Sequence, residues 1–148
     1  MGSDPLHLTL RRASPDDAAF ITNLRNALAA YFLSPVPATV ERTRTMLGES
    51  QTFIAECEGH PVGTFAFYDV QFGRAEFGRF MVLPEEQGKG IGEWVLEGAI
   101  WRARGFGLRH LILTVRKDSK AAITNLYTRY GFCTIIEEKT RVLMRRLL

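Results

Sequence analysis

Gln87-Gly88-Lys89-Gly90-Ile91-Gly92 places three glycines within five residues. Bare glycines cost backbone entropy, and what they return is a set of N–H groups that no side chain obstructs. Ile91, Trp94, Val95 and Leu96 follow at helical spacing, so the glycines stand where the positive end of a helix would be. Amides gathered at that end suit a phosphate or pyrophosphate, and Lys89 adds a cation. Two familiar nucleotide loops fail on spacing. A Walker loop needs Gly-Lys-Ser/Thr, but here Gly90 follows Lys89; the Rossmann fingerprint needs its third glycine later than Gly92. On the loop alone, a glycine-rich turn that merely opens a helix is the plainer alternative.

The elements that must position this loop can be read from periodicity. Leu6, Leu8 and Leu10 alternate with polar residues and predict a first strand. Ser14-Pro15-Asp16-Asp17 supplies a cap, a proline for the first turn and acidic residues for a helix continuing over 18–30. Pro35 and Pro37 punctuate a loop, and Thr39 caps a shorter helix over 40–47 that Gly48 should end. Runs over 52–57, 62–70 and 75–83, rich in Phe, Val and Tyr, read as an antiparallel meander. A helix over 90–104, a strand over 108–115, a helix over 119–130 and a hairpin of 133–137 with 141–147 complete the chain. The predicted order is β-α-α-β-β-β-α-β-α-β-β, an α/β fold with one mixed sheet.

A chain of 148 residues is expected to form a single domain, 1–148, in which residues 1–4 resemble a leader. Hydrophobic residues at 46% and charged residues at 24% exclude an intrinsically disordered chain. No apolar run reaches the ~20 residues of a membrane span and no secretory layout opens the chain, so the cytoplasm is the expected address. A net charge of +3 can assist an anionic ligand but is too small to imply nucleic-acid binding. Cys57 and Cys133 lie in apolar runs without metal-ligand spacing and are expected as buried, reduced thiols; no metal site is predicted.

The loop resembles the GNAT-type N-acetyltransferase superfamily, whose Gln/Arg-x-x-Gly-x-Gly/Ala signature is matched by Gln87, Gly90 and Gly92. The stretch from Ala75 to Glu85 is similar to the family's fourth strand and its Pro-Glu lead, and Leu126-Tyr127-Thr128-Arg129-Tyr130-Gly131-Phe132 to its late Leu-Tyr-x-x-x-Gly-Phe motif. The resemblance implies a sheet that splays between its fourth and fifth strands and holds acetyl-CoA in the opening. It implies that Met81 and Val82 pair with the pantetheine arm, with Phe80 beside them. It further implies that Gln87, Gly88, Lys89, Gly90, Ile91 and Gly92 cradle the pyrophosphate, that Arg129 approaches a phosphate, and that Tyr127 faces the sulfur. For Met81, core packing is the alternative. The family often carries an asparagine seven residues before this tyrosine. Lys120 stands there, and Ser119 beside it is the candidate replacement, unless the contact is absent.

Acetyl transfer to an amine requires the amine in its neutral form, a donor for the developing oxyanion and a proton for the thiolate. With an ammonium pKa of ~10.4, deprotonation at neutral pH costs roughly three to five kcal/mol. A backbone N–H at Phe80 or Met81 is the expected oxyanion donor, and Tyr127 the expected general acid. Glu76 is the candidate base, against two alternatives: a solvated strand residue paired with Arg74 or Arg79, or a water chain. Strict alternation puts Glu76 on one face with Gly78 and Phe80, away from Met81, unless a bulge near Gly78 resets it. His110 and Asp69 are held in reserve. Tyr31 and Phe32 are the candidate acceptor walls, whereas Tyr68, Phe72 and Phe77 are expected in the core. The acceptor is expected to be a primary amine of a small molecule or peptide. A non-catalytic acyl-CoA-binding module is the rival function, and transfer to a hydroxyl or from a longer acyl group stays open. Val142-Leu143-Met144 with Leu147-Leu148 could pair two copies as a homodimer or complete the monomer's core.

Overall fold

A computed structural model describes residues 7–34, 36–118 and 121–148, so Ser119 and Lys120 lie outside the described residues. The elements are β1 (Leu8–Arg12), α1 (Ala18–Ala27), α2 (Val40–Glu49), β2 (Gln51–Cys57), β3 (His60–Gln71), β4 (Arg74–Val82), α3 (Ile91–Gly105), β5 (His110–Arg116), α4 (Ala121–Arg129), β6 (Cys133–Glu137) and β7 (Arg141–Leu147). This is the predicted order, with short 3-10 turns at Pro15–Asp17, Ala29–Tyr31 and Pro84–Glu86.

Local chemistry sets the helix ends. Asp17 accepts the Ser14 N–H at 2.8 Å and a forked pair from Arg11, both at 2.8 Å, which anchors the entry to α1 on β1. The Thr39 hydroxyl accepts the Arg42 N–H at 3.2 Å and starts α2. That helix runs through Gly48 to Glu49 instead of ending at the glycine. The Ser50 hydroxyl, donating to the Met46 carbonyl at 2.8 Å, satisfies an end group that the glycine would otherwise have left open.

The seven strands form one sheet in the order β1-β2-β3-β4-β5-β7-β6, and only β4 and β5 run parallel. One face carries Phe53, Phe65, Phe67 and Phe77 under Val95, Leu96 and Ala99 of α3, with ring centroids 5.0 Å apart for Phe53–Phe65 and 5.5 Å for Phe65–Phe67. On the other, Ile21 and Leu24 of α1, with Leu28 just beyond its end, pack on Ile54 and Met81. A buried hydroxyl contact of 2.7 Å between Thr22 and Thr43 joins α1 to α2. Val142 and Met144 belong to the core, whereas Leu147 is exposed.

Two departures from regular pairing matter for function. β4 pairs with β5 only at Arg74, Ala75 and Glu76, after which the two strands part, as the resemblance implied. Between Gly78 and Met81, β4 also spends three steps where β3 spends two, so one residue bulges out. That residue is Arg79, with φ at +50°.

Cys133 is exposed on β6 and Cys57 half-buried. The apolar run around Cys133 predicted burial, but β6 is an edge strand exposed along its whole length. Among the described residues no helix is long and apolar enough to cross a membrane, and no cluster of three His, Cys, Asp or Glu could hold a metal ion.

Candidate active site

The bulge decides which side chains of β4 meet. Without it, Phe80 would share a face with Glu76 and Gly78. The extra residue returns Phe80 to the α3 side, with Phe77 and Val82, and sends Met81 to the α1 side. Beyond Glu76 no strand pairs with β4 on its β5 side, so every second backbone N–H and C=O of residues 77–82 faces the opening. Gly78 is needed here, because a Cβ at this position would stand 2.8 Å from the Tyr68 ring.

The opening is the mouth of a cavity of about 860 Å³. Gln87, Gly88 and Gly92 line one part of it, and residues Phe77 to Val82 and Leu113 to Arg116 form its diverging walls. Leu126 and Tyr127 of α4 contribute one side; Ile21 and Arg25 of α1, Leu28 just after it, and Arg42, Thr43 and Met46 of α2 contribute the other. Tyr31 and Phe32, the expected acceptor walls, both line it. Phe72 is 93% exposed at the β3–β4 turn rather than in the core.

The glycine loop has the form an anion cradle requires. Gly88 and Gly90 have φ of +84° and +85°, and Gly90 is the residue before the first turn of α3, with no side chain capping that end. Trp94 donates the first helical bond, to the Gly90 carbonyl at 3.1 Å, which leaves the N–H groups of Ile91, Gly92 and Glu93 without helical acceptors. A Cβ at Gly88 or Gly90 would meet no atom within 4 Å, so the space over these amides is open to a ligand. Ile91 itself is buried, so only its backbone can serve. The Gln87 side chain turns back and donates to the Val82 carbonyl at 3.1 Å, tying the loop to the end of β4.

The cations expected near phosphates are engaged elsewhere. Lys89 pairs with Glu86 at 3.0 Å and Arg129 with Glu93 at 2.7 Å, both at the surface. Ser119 lies outside the described residues.

Tyr127 is buried, its ring 6.2 Å from Phe80 and 5.6 Å from Phe132. Burial alone pushes its phenol above the ordinary tyrosine range, so it holds its proton throughout neutral pH. Glu76 does not line the main cavity. It lies in a smaller one of about 260 Å³ with Asp69, Arg74 and Thr114, and Thr114 lines both. A second bulge, on β3, puts Asp69 at φ +48° beside it. Burial, then a hydrogen bond and repulsion from Asp69, raise the Glu76 carboxyl above its ordinary value. His110, at the start of β5, lines neither cavity.

The acetyltransferase model of the GNAT family matches residues 21–132. The chain belongs to the GNAT acetyltransferase family. It is an acyltransferase, and its co-substrate is acetyl-CoA. No curated protein matches the sequence of this acetyltransferase. Among solved structures, a putative acetyltransferase from Salmonella typhimurium with its cofactor acetyl-CoA is similar at a TM-score of 0.82 and 21% identity, over 95% of this chain and 94% of the other. A ribosomal-protein-alanine N-acetyltransferase from Brucella melitensis reaches 0.82 at 20% identity, over 95% and 99%. A variant of the Vibrio cholerae spermidine N-acetyltransferase reaches 0.81 at 20%, over 95% and 94%. These likenesses concern the fold. The four arginines of the cavity, Arg25, Arg42, Arg79 and Arg116, carry no motif in the sequence; only the i, i+4, i+7 spacing of Ile21, Arg25 and Leu28 hints that Arg25 shares a face with the α1 core residues.

Proposed function

We propose that this GNAT acetyltransferase moves the acetyl group of acetyl-CoA to a primary amine by direct attack, with Tyr127 as the general acid. The observation that carries this reading is the single cavity shared by the glycine loop, the unpaired edge of β4 and Tyr127. Acetyl-CoA supplies the acetyl group as a thioester. Backbone N–H groups of Gly88 to Gly92 would hold its diphosphate, and Met81 and Val82 offer main-chain groups to its amide-bearing arm. A backbone N–H at Phe80 or Met81 stands as the oxyanion donor, aimed by the Arg79 bulge. The Tyr127 hydroxyl gives its proton to the sulfur as the C–S bond breaks, and the phenolate is restored by the second proton that the nitrogen sheds as the amide forms. A phenol is normally a weaker acid than a thiol, but the same burial that raises Tyr127 also disfavours a thiolate beside it, which narrows the gap.

Glu76 takes up the proton of the incoming ammonium through water passing Thr114, the residue common to the two cavities. Its raised pKa brings it closer to the neutral range in which such a base works. Two of the similar structures are named for transfer to nitrogen, of a ribosomal-protein alanine and of spermidine, which supports an amine over a hydroxyl. The exposed edge strand β6, with Ile135 and Ile136 at the surface, supports a homodimer, which sedimentation would test.

The decisive experiment follows release of free thiol from acetyl-CoA against a panel of amines, peptides and aminosugars. Turnover with at least one amine is expected. Tight acetyl-CoA binding without turnover on any acceptor would establish the non-catalytic module instead.

A further inference from the structure

The acceptor half of the cavity has an unusual charge balance. Arg25, Arg42, Arg79 and Arg116 line it, and among the described residues no Asp or Glu does. Arg116 has its own partner, forking onto Asp118 at 3.0 and 2.9 Å. The other three have no carboxylate within ion-pair distance among the described residues. Arg25 donates one nitrogen to the Ser34 carbonyl at 2.8 Å and lies 4.6 Å over the Phe32 ring, but its Nη1 is buried without a hydrogen-bond partner. Arg79 is thrust out by the bulge, where its polar contact is the Met46 thioether, a weak acceptor, and its guanidinium lies 5.8 Å from the Tyr68 ring. Arg42 and Met46 are one turn apart on α2, so Arg42 projects from the same helical face. Burial and repulsion from Arg79 both lower the pKa of Arg25, which shows the two cations close enough to oppose each other.

Clustered guanidinium groups with a buried, unsatisfied N–H are costly unless an anion completes them. The diphosphate of acetyl-CoA does not do so under the reading above, because it belongs to the glycine loop, whereas these arginines come from α1, α2 and the bulge.

We propose that the acceptor is a small amine bearing a carboxylate or phosphonate group, gripped by Arg25, Arg42 and Arg79, with its apolar body against Leu28, Phe32 and Val36. Planar forks of N–H donors fit both oxyanions. A polyamine would bring further positive charge into a site that holds only positive side chains, and is disfavoured. The inference rests on the proposed transfer to an amine and adds the acceptor's charge.

The test uses matched sets built on apolar amino acids: the acid, its amide, the decarboxylated amine and the aminophosphonate, with spermidine alongside, all followed by thiol release. We expect an anionic member to exceed its neutral partners in kcat/KM by about ten to a hundredfold, as charge-assisted hydrogen bonds do. The ratio of acid to phosphonate identifies which oxyanion the site was built for. Arg42→Ala should shrink the preference by raising KM for the anionic member far more than for the amide, and Arg25→Lys should retain part of what Arg25→Met loses. Equal or better turnover of amides, simple amines or spermidine would overturn the proposal. If no amine turns over, the proposed transfer fails, and calorimetry with the N-acetyl amino acids and their amides, on protein saturated with coenzyme A, still decides the anion site. Binding of the acids alone supports it; equal binding or none overturns it.

Discussion

Replacing Tyr127 by Phe removes one oxygen from the centre of the site and little else. The ring contacts with Phe80 at 6.2 Å and Phe132 at 5.6 Å survive, so the core loses no apolar volume and the melting temperature should stay within a few degrees. What disappears is the proposed proton donor. General acid catalysis is worth about a hundred to ten-thousandfold in rate, or ~2.7–5.5 kcal/mol in barrier, and kcat should fall by about that factor. The dissociation constant of acetyl-CoA should change by less than about twofold, because in the proposed site the phosphates would be held by backbone groups of the loop and not by the phenol. Thiol release measures the rate and calorimetry the affinity. The pH profile adds a second check. Burial raises the phenol, so it stays protonated past pH ~10, its usual midpoint, and the wild-type kcat should show no descending limb below that value. Unchanged kcat in Tyr127→Phe, with affinity and folding intact, would remove the residue from the mechanism.

Gly90→Asp puts a carboxylate at the helix end meant for a diphosphate. At ~4 Å and an effective dielectric of ~20 the repulsion is about 4 kcal/mol, so acetyl-CoA affinity by calorimetry should fall by about a thousandfold, and wild-type affinity would displace the cradle. Glu76→Gln should lower kcat/KM about tenfold at pH 7 and progressively less toward pH 9, where more of the amine is already neutral; a loss independent of pH would point to a positioning role. Asp17→Asn should cost about 2–3 kcal/mol by urea unfolding at pH 7, since it cuts the charge of a buried carboxylate bound by Arg11 while leaving Arg11 its contact with Glu56. The folded-state pKa of Asp17 is depressed, so that stability is present above its unfolded value and vanishes as pH falls through the folded one; the two proteins should converge in acid.

The sequence disclosed what depends on local pattern. The terminal hairpin lies at 133–137 and 141–147, where it was expected, and the glycine loop opens α3 with Gly88 and Gly90 in the left-handed region that only their spacing announced. Pairing partners were less legible. Nothing near Gly78 marks Arg79 as the bulged residue, because a bulge is fixed by the register of two strands and not by one strand's composition. That single residue reverses the faces of Phe80 and Met81, so alternation counted along β4 misassigns both. The arginines escaped notice for a related reason. Arg25, Arg42 and Arg79 are separated by up to 54 positions in the chain, and only packing of α1 and α2 over β4 brings them to one cavity.

The bulge and the arginines together bear on how an amine loses its proton here. An ammonium entering a cavity lined by guanidinium groups, with no carboxylate among its described residues, would be destabilised relative to the neutral amine, so such a site would favour loss of the proton before any base acts. An anionic group on the same molecule repays the entry of the whole ligand while leaving the nitrogen disfavoured as a cation. On the proposed mechanism Glu76 can then sit one layer back, behind Thr114, because it would collect a proton that the cavity has already loosened. Arg79 serves both parts of this arrangement. Its bulge resets the main chain of β4 along the cavity in which the thioester would lie, and its side chain supplies part of the positive field that the proposed acceptor would meet.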